Sequence, residues 1–428
     1  TGNYRVGLTM DPANKTFRPD AYASLRVREF RLYLFFRFFT TLAIQMQGLI
    51  VGWQVYELTR DPLALGLTGL AEALPHISVV LYAGHAADRY NRKRIIILFS
   101  LFFLAGTLAL FLFTVRSSGI LTTLGVLPIY AVVAMSGIAR AFLYPSIIAM
   151  MAQIIPRQAY ANASTWSSTM WHIAAITGPA LGGLLCGFFG VRVAYLCVAL
   201  FIMVALIMFS FVRNRPVIVA DIREKVWQRL VSGLKFVYRN QILFGAMTLD
   251  MFAVLFGGAI VMLPVFAAEI LKVGPQGLGF LRAAPMAGSV IMSLVLAHRP
   301  PMRHSGKYMM YGIAGFGISI ILFAISKNFY LSLFLLMFSG MFDNISVIIR
   351  ATAMQLITPD EMRGRVASVN AIFVGSSNEI GSFESGVAAK LMGLIPSVIF
   401  GGAMTLAIVG ITARFMPRLR KMHLVELQ

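Results

Sequence analysis

Residues 84–94 read Gly84-His-Ala-Ala-Asp88-Arg89-Tyr-Asn91-Arg92-Lys93-Arg94, and an apolar stretch flanks them on each side, roughly 64–86 and 95–115. A membrane helix needs about 20 mostly apolar residues at 1.5 Å rise each. Both flanks meet that length, so the basic stretch is a turn at a membrane surface. Working outward, ten further segments of the same kind appear: roughly 31–57, 126–151, 162–189, 193–212, 241–268, 276–297, 307–326, 329–351, 366–392 and 396–416. The composition agrees, since 58% of the 428 residues are apolar, 13% are charged and the mean hydropathy is +0.78. A soluble chain carries roughly 25% charged residues. Most of this exterior therefore faces lipid, and the expected fold is an all-α polytopic membrane protein with twelve transmembrane helices.

The formal charge of +20 raises the question of nucleic acid. Its distribution answers it. The N-terminal tail, the C-terminal tail and the loops after even-numbered spans hold 27 Lys and Arg, whereas the loops after odd-numbered spans hold 6. Positive residues collect on the cytoplasmic side, so both termini are expected in the cytoplasm and no nucleic-acid partner is implied. The polar stretch from Thr1 to Ser24 lacks an apolar core and reads as a tail rather than a signal peptide. The expected organisation is an N-terminal tail 1–30, a six-helix bundle 31–212, a linker 213–240, a second six-helix bundle 241–416 and a C-terminal tail 417–428. In the linker, Val226, Trp227, Leu230, Leu234 and Val237 recur at helical spacing among basic residues. Such a helix lies on the inner leaflet or packs its stripe on the bundle.

A shift of 203 residues brings Gly137 and Arg140 onto Gly340 and Asp343, Pro156 onto Pro359, and Gly178 and Gly183 onto Gly381 and Gly386. Two six-helix halves related by an axis along the membrane normal form one known transporter architecture. The two cysteines, Cys186 and Cys197, flank the short turn between spans 5 and 6. They are either a disulfide or two free thiols within lipid-embedded helices.

The stretch 84–94 resembles the signature of the major facilitator superfamily, G-x-x-x-D-R-x-G-R-[KR]-[KR], at the position where that family carries it. It departs at Asn91, where the family has Gly; a left-handed turn there would suit Asn best after Gly. The resemblance implies that Gly84 permits close helix packing while Asp88, Arg89, Arg92, Lys93 and Arg94 form an inner gate. Gly178-Pro179-Ala-Leu-Gly182-Gly183 resembles the end of the family's antiporter motif. It is read as a bend or rocker point, or as ordinary small-residue packing. Pro359-Asp360-Glu361-Met-Arg363-Gly364-Arg365, with Leu230 to Asn240, looks like the branch holding enterobactin exporters and macrolide efflux pumps.

Ionisable groups inside a span cost about 2.5–3.5 kcal/mol each on insertion scales and are candidates for function. In the family, spans 1, 4, 7 and 10 line the central cavity. That implies cavity positions for Arg37, Gln45 and Gln47 in span 1, Arg140 in span 4, Asp250 in span 7, and Asp343, Asn344 and Arg350 in span 10. A proton carrier needs a carboxylate and a cation that releases it. Asp343 and Asp250 fit, with Arg140 as the partner expected of Asp343; a permanent structural ion bridge is the alternative. Glu72 and His76, four apart in span 2, are a proton relay or one buried hydrogen-bonded pair. Span 11 is the least lipid-like, with Glu379, Glu384, four serines and three glycines between Gly375 and Gly386. It is a substrate or proton site, or polar helix packing, and its glycines suggest a broken helix.

The chain has no phosphate-cradling G-x-x-x-x-G-K-[ST], no H-E-x-x-H and no G-x-S-x-G. It is read as a transporter rather than an enzyme, without cofactor or resident metal. The leading expectation is a monomeric, proton-coupled exporter of amphipathic organic molecules, drug or siderophore-like, in a bacterial inner membrane. A lysophospholipid or divalent-metal transporter is the alternative, followed by a non-transporting receptor with a transporter fold.

Overall fold

The computed structural model describes residues 21–115, 119–215, 226–298 and 304–424. Most of the N-terminal tail, linker positions 216–225 and the last four residues lie outside them. Long helices follow one another closely: α1 (Arg28–Thr59), α2 (Pro62–Arg89), α3 (Arg92–Phe113), α4 (Leu127–Ile154), α5 (Tyr160–Ser210), α6 (Val226–Arg239), α7 (Gln241–Gly257), α8 (Gly274–Ala297), α9 (Ser305–Ile325), α10 (Phe329–Ile357), α11 (Arg363–Met392) and α12 (Leu394–Phe415). Their starts are written in the sequence. Asp61 accepts from Leu63 N–H at 3.0 Å ahead of Pro62, and Asn328 accepts from Leu331 N–H at 3.1 Å. Both are N-caps that satisfy orphan donors of the first turn.

Among the described residues, ten helical stretches are long and apolar enough to cross a membrane. Two adjustments reconcile that with the twelve expected spans. The stretch Arg157–Ser210 has 54 residues, about 80 Å at 1.5 Å each. It turns at Gly190, whose φ of 83° and ψ of 166° lie outside the helical region and suit only glycine. That makes two crossings. The twelfth is α11, 30 residues long but polar, with Glu379, Glu384 and several serines along it.

In the first half α1 packs on α5, α2 and α3 on α4, and α3 on α5. In the second, α8 and α9 pack on α10, α9 on α12, and α7 on α11 and α12. The halves meet through α5 against α8 and α2 against α11. Both seams need glycine. A Cβ on Gly183 would sit 2.7 Å from Gly279 Cα, and one on Gly66 would sit 2.9 Å from Gly386 Cα. The stretch Gly178–Gly183 therefore acts as a packing seam, and Gly190 is the only residue of α5 with non-helical dihedrals. α11 is likewise one continuous helix, not a broken one. The two thiols are free.

Between the halves and the tails lies α6. It packs Leu230, Phe236 and Val237 against Val366 and Val369 of α11, while Val231, Leu234 and Tyr238 are exposed. One stripe of this helix thus covers the bundle and another faces outward.

Candidate functional site

Two faces of the bundle can be told apart by topology. The terminal face carries the start of α1 and the end of α12; the far face carries the α1–α2, α7–α8 and α11–α12 connections. At the far face the halves are tied by Lys390 Nζ donating to Asp61 Oδ2 at 2.8 Å, by Tyr56 donating to Glu269, and by the two glycine seams. The Lys390 hydrogen bond holds the Asp61 carboxyl below the usual carboxylate range. Along α2 and α11 the crowding falls off toward the terminal face: a Cβ on Gly69 would collide with Ser382, whereas Cβ atoms on Gly84 of α2 and on Gly375 and Gly364 of α11 would meet nothing within 4 Å.

The signature loop sits at the terminal face. Asn91 adopts φ −64° and ψ 112°, and its side chain accepts from Arg94 N–H at 3.2 Å. It is the N-cap of α3, so the left-handed turn expected of this position is replaced by a capped helix start. Lys93 donates to Ser210 O at 2.8 Å and to Val212 O at 2.6 Å, covering the last carbonyls of α5. Arg92 donates to Ala87 O at 3.0 Å. The side chains of Asp88, Arg89 and Arg94 are exposed and, among the described residues, without hydrogen bond or ion pair.

Deeper in, about 12–20 Å from the far ends of their helices, four charged side chains face each other across the halves. Arg140 of α4 pairs with Glu72 of α2. Glu379 of α11 interacts electrostatically with Glu72, Arg140 and Arg282. Arg282 of α8 donates to Gly48 O of α1 at 3.1 Å, bridging the halves directly. Side-chain exposures of 38% for Arg140 and 24% for Glu72 show that this pair borders open space although protein surrounds it. His76 Nδ1 lies 3.2 Å from Gly137 O, one turn beyond Glu72. The Glu72 carboxylate is thus engaged by Arg140, while His76 is anchored to backbone.

A second charged group belongs to the C-terminal half alone. Arg350 of α10 pairs with Asp250 of α7, and Ser346 donates to Asp250 at 3.4 Å. Asp343 interacts electrostatically with both Asp250 and Arg350. The expected pairing of Arg140 with Asp343 is not formed: each half builds its own ion pair, between span 4 and span 2 in one and span 10 and span 7 in the other. Repeat symmetry matched the positions of Arg140 and Asp343 but not their partners.

The remaining positions divide. Arg37 donates to Tyr33 Oη at 3.4 Å, and Gln45 lies against the Gly178 seam. Gln47 is buried in the N-terminal half, donating to Ser136 at 3.1 Å and accepting from Thr107 at 2.6 Å, so it belongs to the core and not to the cavity. Asn344 is held to α8 through Ser289 O at 2.9 Å and Ser293 Oγ at 2.8 Å. Glu384 is half-buried on α11 with Ser385 in hydrogen-bonding reach. Arg282 received no role from the sequence, although an ionisable residue inside a span was signal enough. Asp61, Lys390, Tyr56 and Glu269 carried none, because loop-end polar residues are common.

Among the described residues, no group of three or more His, Cys, Asp and Glu is placed to hold a metal ion. Comparison with known proteins gives the same architecture. The Major Facilitator Superfamily profile matches residues 33–382. Enterobactin exporter EntS of Shigella flexneri is 22% identical over 337 residues, 79% of each chain. EntS of Escherichia coli O81 (strain ED1a) matches to the same extent. Among solved structures, a POT family transporter in complex with 5-aminolevulinic acid aligns at TM-score 0.72 and 12% identity, covering 92% of this chain and 96% of that one. The peptide transporter POT in complex with sulfate aligns at the same TM-score, covering 95% and 100%. With the match running through both halves, this chain belongs to the major facilitator superfamily and is a multi-pass membrane transporter.

Proposed function

We propose that this transporter is a proton-coupled exporter of amphipathic organic molecules, working by alternating access, with the terminal face in the cytoplasm of a bacterial inner membrane. The observation that carries the reading is the four-charge cluster at mid-depth between the halves. Its members come from both halves, so a rocking motion must change their separations. A carboxylate whose cation neighbours move away in one state and return in the other binds a proton differently in the two. Glu379 is that carboxylate, alternating between a protonated form and interaction with Arg282 and Arg140.

The ties at the far face and the uncrowded glycines toward the terminal face support a state open to the cytoplasm. The exposed, unpaired Asp88 fits it, because an inner gate is released when the inner ends separate. The orientation rests on the Lys and Arg asymmetry of the loops. The cargo class rests on the relatives, which are enterobactin exporters.

A substrate panel in proteoliposomes under an imposed pH gradient tests the reading. Gradient-dependent accumulation of at least one siderophore-like or drug-like compound is expected. Flux indifferent to the gradient would remove proton coupling, and absence of flux for every compound would favour a receptor.

A further inference from the structure

Where α12 ends, α6 and α7 meet it and leave a cleft of about 540 Å³ lined by Tyr238, Arg239, Gln241, Phe244, Phe415 and Arg418. Three features of it point the same way. Arg239 and Arg418 enter it from two separate elements, and among the described residues neither has a hydrogen bond or ion pair to a carboxylate. Tyr238 and Phe415 are each 72% exposed, so the rim is aromatic and uncovered. The cleft also lies at the end of a 22-residue apolar helix, at the level where a span leaves the bilayer. Aromatic side chains concentrate at that level, and arginines there meet the phosphates of acidic lipids.

We propose that this cleft is a binding site for the phosphodiester headgroup of an acidic phospholipid in the terminal-face leaflet. The two guanidiniums clamp the phosphate with charge-assisted hydrogen bonds, Gln241 offers an amide to the glycerol, and Phe415 and Tyr238 lie along the first acyl carbons. Gln241 already donates to Phe415 O at 3.5 Å, which fixes the wall between α7 and the end of α12. Because α6 also packs on α11, an occupied cleft would tie the linker helix, α7 and α12 into one unit at the leaflet surface. The inference does not depend on which compound is transported or on proton coupling.

Native mass spectrometry of the purified full chain with phosphatidylglycerol, and separately with inorganic phosphate, tests it. Arg239→Gln/Arg418→Gln is the probe, and Arg157→Gln/Lys307→Gln removes the same charge from exposed positions elsewhere on that face. The wild type and the control pair are expected to retain phosphatidylglycerol, and the cleft variant to lose about thirtyfold in affinity, as two basic residues near an acidic surface imply. Phe415→Ser, on the acyl side, should weaken the lipid without altering any charge. Equal retention by the cleft variant, or equal loss in the control pair, would overturn the proposal. Competition by inorganic phosphate as strong as by the lipid would make this a free-anion site and overturn it as well.

Discussion

Two ion pairs of the same type sit in the two halves and are solvated differently. Arg350 and Asp250 have side-chain exposures of 8% and 4%, whereas Arg140 and Glu72 have 38% and 24%. The first pair is sealed between α7 and α10 with Ser346 as a further donor. The second lies at the seam between the halves and feels Arg282 and Glu379 across it. A sealed pair can only hold its helices together; an open one can exchange its partner for a proton or for cargo. Location relative to the seam, not residue type, separates structure from coupling here.

The largest effect should come from breaking the sealed pair. Asp250→Asn leaves the buried Arg350 guanidinium without its paired carboxylate, with Asp343 nearby but not hydrogen-bonded to it, and about 3–5 kcal/mol of stability should be lost. A fall of the unfolding temperature in detergent would register it, and Asp250→Leu/Arg350→Met should restore most of it. If Asp250→Asn unfolds like the wild type, the contrast in solvation is wrong.

Glu72→Gln tests the open member of the comparison. Arg140 keeps access to water and lies near Glu379, so the cost in stability should stay below about 2 kcal/mol. Transport should nevertheless fall sharply, because Arg140 then has Glu379 as its sole nearby carboxylate and holds it ionised. A variant that is as unstable as Asp250→Asn would equate the two pairs.

A smaller effect is expected at the far-face tie. The Asp61–Lys390 pair is half-exposed, and such pairs contribute about 0–1 kcal/mol. Asp61→Asn should therefore shift the balance between states by at most a few fold, read as distance populations between labels on the α1–α2 and α11–α12 connections. The pH dependence follows from the depressed Asp61 carboxyl. Its stabilisation is fully present above the ordinary carboxylate value of about 3.9 and is lost as pH falls through the lower value in the folded protein. The Asp61 contribution, read as the difference in far-face opening between the wild type and Asp61→Asn, should thus be flat from pH 8 to 5. A midpoint near pH 6 would assign the response to another group.

How much of this could be read from the chain differs between fold and site. Eleven spans follow from apolar length alone, and the twelfth, α11, was legible because its polar stretch is still long enough to cross. Asn91 stands in for the family glycine not through a left-handed turn but as the N-cap of α3, a role that the motif itself does not specify. Partner choice was not legible. Arg140 finds Glu72, 68 positions earlier on a neighbouring helix, and His76 finds a backbone carbonyl that no side-chain pattern announces. Repeat symmetry specifies depth in the membrane; it does not specify rotation about each helix axis, and rotation decides who meets whom.

The central claim is that coupling resides in the cluster spanning the seam and not in the group confined to one half. Glu379→Gln and Asp343→Asn, reconstituted side by side, test it through the ratio of pH-gradient-driven accumulation to gradient-free exchange of the same substrate. The account predicts that Glu379→Gln keeps exchange and loses gradient-driven accumulation, while Asp343→Asn retains both. Loss of driven accumulation in Asp343→Asn with full retention in Glu379→Gln would contradict it and move the proton to the C-terminal half.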